Sequence, residues 1–133
     1  MQVYCDSVIL MYFLEYTGPF NVRASHRLAA LAAAGDQIVV SDIVRLECRV
    51  KPIRTGAAVT LAVYDTFFSR SDVTIVPINT IIFERATLIR ASHNFKLADS
   101  LHLAAAIEFG CDRFLTNDIR LSSCSDITVE VLP

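Results

Sequence analysis

Four acidic residues stand out by their positions in the chain: Asp6, Glu47, Asp99 and Asp118. Asp6 follows the short apolar run "QVYC", and Asp118 follows "RFLTN". Both runs read as β-strands, which sets each carboxylate just past a strand's C-terminal end. Glu47 comes three residues after Val44 and four after Ile43. On a helix that spacing turns it to the same side as these apolar neighbours. Asp99 opens "DSLHLAAAIEFG", a helical stretch with few other polar positions. Taken singly, three of the four have a structural explanation, because Asp6 and Asp99 could cap helices and Asp118 could stabilise a turn. Glu47 fits that explanation least, since a carboxylate on an apolar helix face needs a partner.

Brought to one edge of a sheet, the four would repel one another unless positive charge lay between them. A hard divalent cation suits such an all-oxygen set. Mg²⁺ or Mn²⁺ takes one or two carboxylates together with waters and substrate phosphate oxygens. Two such ions about 4 Å apart could activate a water and stabilise the leaving oxygen of a phosphodiester. Periodicity leads to an acidic metal site and leaves the substrate open.

The elements that must position these acids can be read from apolar runs and breakers. Strands are expected at Gln2–Cys5, "QIVV", "VTIVPI", Arg113–Thr116 and Ile127–Leu132. Helices are expected over Ser7–Tyr16 and Val22–Ala34, separated by the breaker "TGPFN". Further helices are expected from a Ser41 cap to near Pro52, over Gly56–Ser69, from an Asn79 cap to about Asn94, and over Asp99–Gly110. Strands alternating with helices imply a single α/β domain over residues 1–133. Its architecture is a three-layer sandwich with a central, mainly parallel sheet of about four to five strands flanked by helices. Ligands of such sheets bind beyond the C-terminal strand ends, where the acids fall.

Bulk properties narrow the classes. The chain has 133 residues, 53% of them hydrophobic and 20% charged, as a folded globular domain does. Nothing approaches the ~20 apolar residues of a membrane span, and the apolar run Val8–Leu14 follows Asp6 without a basic leader. Cys5, Cys48, Cys111 and Cys124 form no CxxC or zinc spacing, so reduced thiols and a cytoplasmic location are expected. A mean hydropathy of +0.46 implies either a very apolar core or apolar surface covered by a second chain, as in a dimer. The net charge of −2 argues against a general polyanion-binding surface. A local basic cluster, Arg45, Arg49, Lys51 and Arg54, reads as a solvated face when taken alone. Beside Glu47, Arg45 and Arg49 become possible contacts for substrate phosphates, which must approach an otherwise negative site.

Four segments, in order, resemble the PIN-domain ribonucleases, and most of all the VapC toxins of prokaryotic toxin–antitoxin pairs. They are "VYCDSVILMYFLE", "VVSDIVRLECRV", "KLADSLHLAAAIEFGCDRFLTND" and its closing "LTND". The resemblance spans essentially the whole chain. It implies that Asp6, Glu47, Asp99 and Asp118 form an acidic metal-binding quartet, with the Thr116 hydroxyl supporting it from the strand end. Ser7 and Asn117 match positions next to the ligands. It further implies Mg²⁺- or Mn²⁺-dependent hydrolysis of RNA, a homodimer, and inhibition by a VapB-like antitoxin. No further acid follows Asp118 directly, where some relatives place one, so one firmly held ion with a transient second is expected.

Other readings fit less well. A haloacid-dehalogenase phosphatase needs an Asp two positions after its first, and Val8 stands there. A response-regulator receiver needs a Lys after a late strand, and the C-terminal strand offers none. A free-standing PIN nuclease without antitoxin, and a silent PIN-like protein-binding module, remain as alternatives, although the second usually loses some of the acids. His102, one helical turn after Asp99, reads as a packing or supporting histidine rather than a general base, and His26 and His93 read as surface groups.

Overall fold

The runs "QVYC", "QIVVS" and "RFLT" lack the polar alternation of a half-solvated strand, so they have to be covered on both faces. In a computed structural model describing residues 1–133, they become the centre of a five-stranded sheet. The strands are β1 (Gln2–Cys5), β2 (Gln37–Ser41), β3 (Val73–Val76), β4 (Arg113–Thr116) and β5 (Thr128–Val131). Their order is β3-β2-β1-β4-β5, and every neighbouring pair is parallel. Six helices flank the sheet: α1 (Ser7–Leu14), α2 (Pro19–Ala33), α3 (Asp42–Thr55), α4 (Ala58–Phe68), α5 (Thr80–Ser92) and α6 (Leu97–Phe109). A 3-10 turn, Ile119–Ser123, joins β4 to β5. This is the α/β sandwich expected from the sequence.

Successive strand residues point to opposite faces, and the helices divide accordingly. Tyr4 of β1 faces α6, where its hydroxyl meets His102. Cys5, Leu115 and Glu130 are in register on the other face. There Arg27 of α2 donates to both Glu130 oxygens, at 2.5 and 3.0 Å. Arg113 adds a third bond at 3.3 Å, so the edge strand β5 is buckled to its neighbour and to a helix. One continuous core fills both layers, with Tyr4, Ile38, Phe114 and Leu115 from strands and Ile9, Leu10, Leu31 and Leu103 from helices.

Several expected boundaries move. The α2 helix starts at Pro19, not Val22, because a proline at the first helical position loses no hydrogen bond and has its φ already set. The α3 helix runs through the buried Pro52 to Thr55. A proline so near the end forfeits only one helical bond, and Gly56 provides the left-handed stop at φ 68°. The α6 helix starts at Leu97, which puts Asp99 inside the first turn rather than at the cap. Asn79 does cap α5, its Oδ1 accepting from Ile82 N at 3.0 Å.

The high mean hydropathy is partly a surface property. Leu46, Val50 and Ile53 follow one another at helical spacing on the outside of α3 and are 60, 39 and 58% exposed. Ile81, Phe83 and Leu88 are exposed on α5. A shallow groove between α1 and α4 is lined by Phe13, Leu14, Val59, Val63 and Phe67. No helix is long and apolar enough to cross a membrane.

Candidate active site

The parallel order places the C-terminal ends of β1 and β4 side by side at the centre of the sheet. Register pairs Cys5 with Leu115, and the ladder continues one step further as Asp6 N donates to Leu115 O at 3.0 Å. Strand order reverses about β1, the topological position where open α/β sheets build binding crevices. A cavity of about 630 Å³ lies there. Asp6, Glu47, Asp99 and Asp118 all line it. Four segments spread over 112 positions of sequence thus deliver their acids to one space.

Each carboxylate is held differently. Asp6 is buried, accepting from Ser7 N at 2.8 Å and from the Thr116 hydroxyl at 2.8 Å. Thr116 Oγ1 in turn accepts from Asp118 N at 3.1 Å, so one hydroxyl ties two of the acids together. Glu47 projects inward from α3 and accepts from Ser7 Oγ at 2.7 Å and from His102 Nε2 at 2.5 Å. Asp118 caps the 3-10 turn through Arg120 N at 3.0 Å, and the Arg120 guanidinium lies across both its oxygens. Asp99 is half-buried in the first turn of α6. Asn117 points aside, donating to the Tyr12 hydroxyl at 2.8 Å.

His102 is the buried hinge of this arrangement. Its Nε2 faces Glu47 and lies 3.8 Å from Asp6 Oδ1, while Nδ1 meets the Tyr4 hydroxyl at 2.7 Å. The Tyr4 hydroxyl also meets Ser41 Oγ at 2.7 Å. Ser41 therefore spends its hydroxyl on this chain and not on capping α3, where it makes no side-chain cap bond. The supporting role expected for His102 is what its geometry provides. Because the Glu47 carboxylate is acceptor-only when ionised, Nε2 must carry a proton.

The electrostatics of these groups follow from burial and from one another's charge. Burial raises the Asp6 carboxyl, with Glu47 adding to it, against the lowering effects of His102, Thr116 and Ser7. Burial also raises Asp99, and the charges of Asp6 and Asp118 push the same way. Burial works against an ionised Glu47, but the His102 hydrogen bond and charge leave that carboxyl lowered on balance. Burial disfavours the imidazolium of His102, yet the Glu47 hydrogen bond and the charges of Asp6, Glu47 and Asp99 leave it raised. In chemistry the donor set fits a hard divalent ion: oxygen only, several carboxylates, two of them raised by burial above all, with neighbouring acids adding to it. No three His, Cys, Asp or Glu side chains form a ready-made ligand cluster. Glu47 is turned to Ser7 and His102, and Asp118 to Arg120.

The cations at the cavity are not those of the basic cluster. Lys96 and Arg120 line it, and Arg45 and Arg49 do not. Arg45 and Arg49 share a face of α3 turned away from Glu47. The Arg45 guanidinium lies 6.0 Å from the Phe68 ring and 3.8 Å from Asp42, and Arg49 donates to Asp65 of α4 at 3.0 Å. Sequence reasoning also missed Tyr4 and Ser41 as supports of His102. The one available signal was their alternation in β1 and β2 onto a single face. Arg120, two residues after Asp118, left no signal beyond proximity.

A PIN domain family model matches residues 3–126 of the chain. No curated protein matches it. Among solved structures it is similar to VapBC2 from Rickettsia felis bound to a DNA fragment from their promoter, at 18% identity and a TM-score of 0.83, with 100% of each chain covered. It is also similar to the sarcin-ricin-loop-cleaving toxin VapC20 of Mycobacterium tuberculosis, at 16% identity and a TM-score of 0.78, covering 98% of this chain and 99% of that one. A third similar structure is a toxin–antitoxin complex from Klebsiella pneumoniae, at 22% identity and a TM-score of 0.72, with 98% of each covered.

Proposed function

Since the chain belongs to the PIN domain family, whose members are nucleases, we propose that it is a Mg²⁺- or Mn²⁺-dependent ribonuclease and the toxin of a VapB–VapC type pair. The observation that carries this reading is the convergence of Asp6, Glu47, Asp99 and Asp118 on one cavity at the strand ends. These four would hold the cation, which when bound supplies Lewis-acid stabilisation of charge on the attacked phosphodiester. The chain's own residues do the rest. Thr116 and Ser7 N fix Asp6, while His102 and Ser7 Oγ fix Glu47, so two of the four acids are held in place by the chain itself. Lys96 and Arg120 stand at the rim, where RNA phosphates must enter past the negative floor. Contact of RNA with Arg45 or Arg49 has to come from a length of strand outside that cavity. The likeness to VapBC complexes supports an antitoxin partner. The exposed apolar residues of α3 and α5 and the α1–α4 groove offer surface for a homodimer and for that partner.

Purified protein should cleave single-stranded RNA with Mg²⁺ or Mn²⁺, stop in EDTA, and lose at least about 100-fold in rate as Asp6→Asn, Asp99→Asn or Asp118→Asn. Undiminished cleavage in EDTA, or by all three variants, would refute the metal mechanism. Light scattering at micromolar concentration should give about twice the 14.7 kDa chain mass. A strict monomer would remove the homodimer from the proposal.

A further inference from the structure

Beside the acidic cavity lies a second, smaller hollow to which the ribonuclease reading gives no task. Its volume is about 220 Å³, and it shares Lys96, Asp99 and Arg120 with the larger cavity. A strand that runs from the acids to this hollow stays beside those two cations. Its remaining walls are His93, Asn94, Phe95 and Ser123. The rings of His93 and Phe95 lie parallel, their planes 4° apart and their centroids separated by 4.8 Å. That pair is preset: Phe95 packs against the core, Phe95 N donates to His93 O at 2.8 Å, and Phe95 O accepts from Arg90 Nε at 3.3 Å. Ser123 Oγ donates to Arg120 O at 3.0 Å and keeps its oxygen free to accept. Asn94 is exposed and carries both a donor and an acceptor.

Stacked rings, two cations, an amide and a hydroxyl are the set by which proteins take up a single-stranded nucleotide. The π-face stacks on the base, the cations neutralise its phosphate, and the short polar groups meet the base edge. The hollow is smaller than the ~300–1,000 Å³ pockets that enclose drug-sized molecules, and suits one planar ring system. We propose that it is a nucleotide subsite. It holds the base of the RNA residue next to the cleaved bond on the outer face of the His93–Phe95 stack, with that residue's phosphate on Lys96 and Arg120. The assignment rests on the ribonuclease reading for its substrate, and on the hollow's own walls for its ligand class.

Two arms test it. In the first, nitrogen-edited NMR of the protein in EDTA follows titration with a nucleoside 5′-monophosphate and with ribose 5-phosphate. The nucleotide should bind roughly tenfold tighter than the base-free sugar phosphate and shift the amides of residues 93–96, 120 and 123. His93→Ala, at a half-buried position just past α5, should erase that advantage. Equal affinities, or shifts confined to other residues, overturn the subsite. In the second arm, RNA oligonucleotides with one abasic residue flanking the cleaved bond are compared with intact ones in Mg²⁺. The abasic change should raise KM about tenfold in the parent with kcat little altered, and should have no further effect in His93→Ala. If the parent cleaves but the abasic penalty is the same in His93→Ala, the hollow binds free nucleotides at most and the substrate subsite is refuted. If no RNA is cleaved, it is the ribonuclease reading that fails, and the first arm alone decides the ligand class.

Discussion

The chain of hydrogen bonds from Ser41 through Tyr4 and His102 to Glu47 should be visible in both stability and rate. Tyr4→Phe keeps the ring and its stacking on Phe114, 5.2 Å away, and removes only the hydroxyl. That hydroxyl meets Ser41 Oγ and His102 Nδ1, each at 2.7 Å, and Tyr4 and Ser41 are 0% exposed and His102 1%. Water cannot replace it, so two buried polar groups lose their partner at ~1–3 kcal/mol each. Relief from burying the tyrosine hydroxyl itself offsets part of this, which leaves about 2–4 kcal/mol. With an unfolding entropy of about 280 cal/mol/K for this length, the loss corresponds to roughly 7–14 °C in Tm. Ser41→Ala removes the other end of the chain, so Tyr4→Phe/Ser41→Ala should cost less than the sum of the single changes. Freed of its Nδ1 partner, His102 aims Glu47 less well, and cleavage should slow by about 10- to 100-fold. Calorimetry and initial rates on the three variants check both effects. A Tm within about 2 °C of the parent, or strict additivity in the double variant, would refute the account of the buried chain.

Three further outcomes follow from the charges. Without metal, Asp99→Asn should melt at or above the parent at pH 7, because burial, Asp6 and Asp118 all raise the Asp99 carboxyl. A raised carboxyl costs stability only once ionised, so the variant's advantage should fade as pH falls toward the ordinary value of 3.8, and a lower Tm at pH 7 would contradict the repulsion. Glu130→Gln should lower Tm by roughly 3–7 °C, about 1–2 kcal/mol, through the loss of the Arg27 pair. Because Arg27 holds the Glu130 carboxyl below its ordinary 4.5, that contribution is present above 4.5 and lost as pH falls through the depressed value. Lys96→Ala and Arg120→Ala should each flatten the salt dependence of short-RNA binding by about 0.7 in log–log slope. An equal effect of Arg49→Ala would place the RNA path along α3 instead.

How much of this was legible in the sequence depended on the range of the interaction. Strand and helix types follow from local apolar patterning, and the acids could be placed at one sheet edge because parallel topology alone brings strand ends together. Helix starts were less legible. In the sequence Pro19 reads as a breaker although it is the first residue of α2, since the same fixed φ serves both roles. The partners of the acids were the least legible part. Whether Ser41 caps α3 or joins Tyr4 is decided by a contact across 37 positions of sequence, and Arg120 reaches Asp118 only because the 3-10 turn folds it back. The place of the basic cluster was hidden for a related reason. Density of charge along a sequence does not say which side of a helix faces the cavity, and Arg45 and Arg49 lie a half-turn from Glu47 on α3.

The pairing of β1 with β4 also sets the order in which the molecule can come into being. The first strand occupies the middle of the sheet, yet one of its two neighbours is synthesised 110 positions later, as the register of Val3 with Arg113 requires. The β1-β2-β3 half can assemble early, from contacts closer in sequence, while closure on the other side waits for the last third of the chain. A nascent polypeptide that has emerged as far as residue 90 carries Asp6 and Glu47 but neither Asp99 nor Asp118. Its cavity lacks two of its four acidic walls until the last third of the chain has been made.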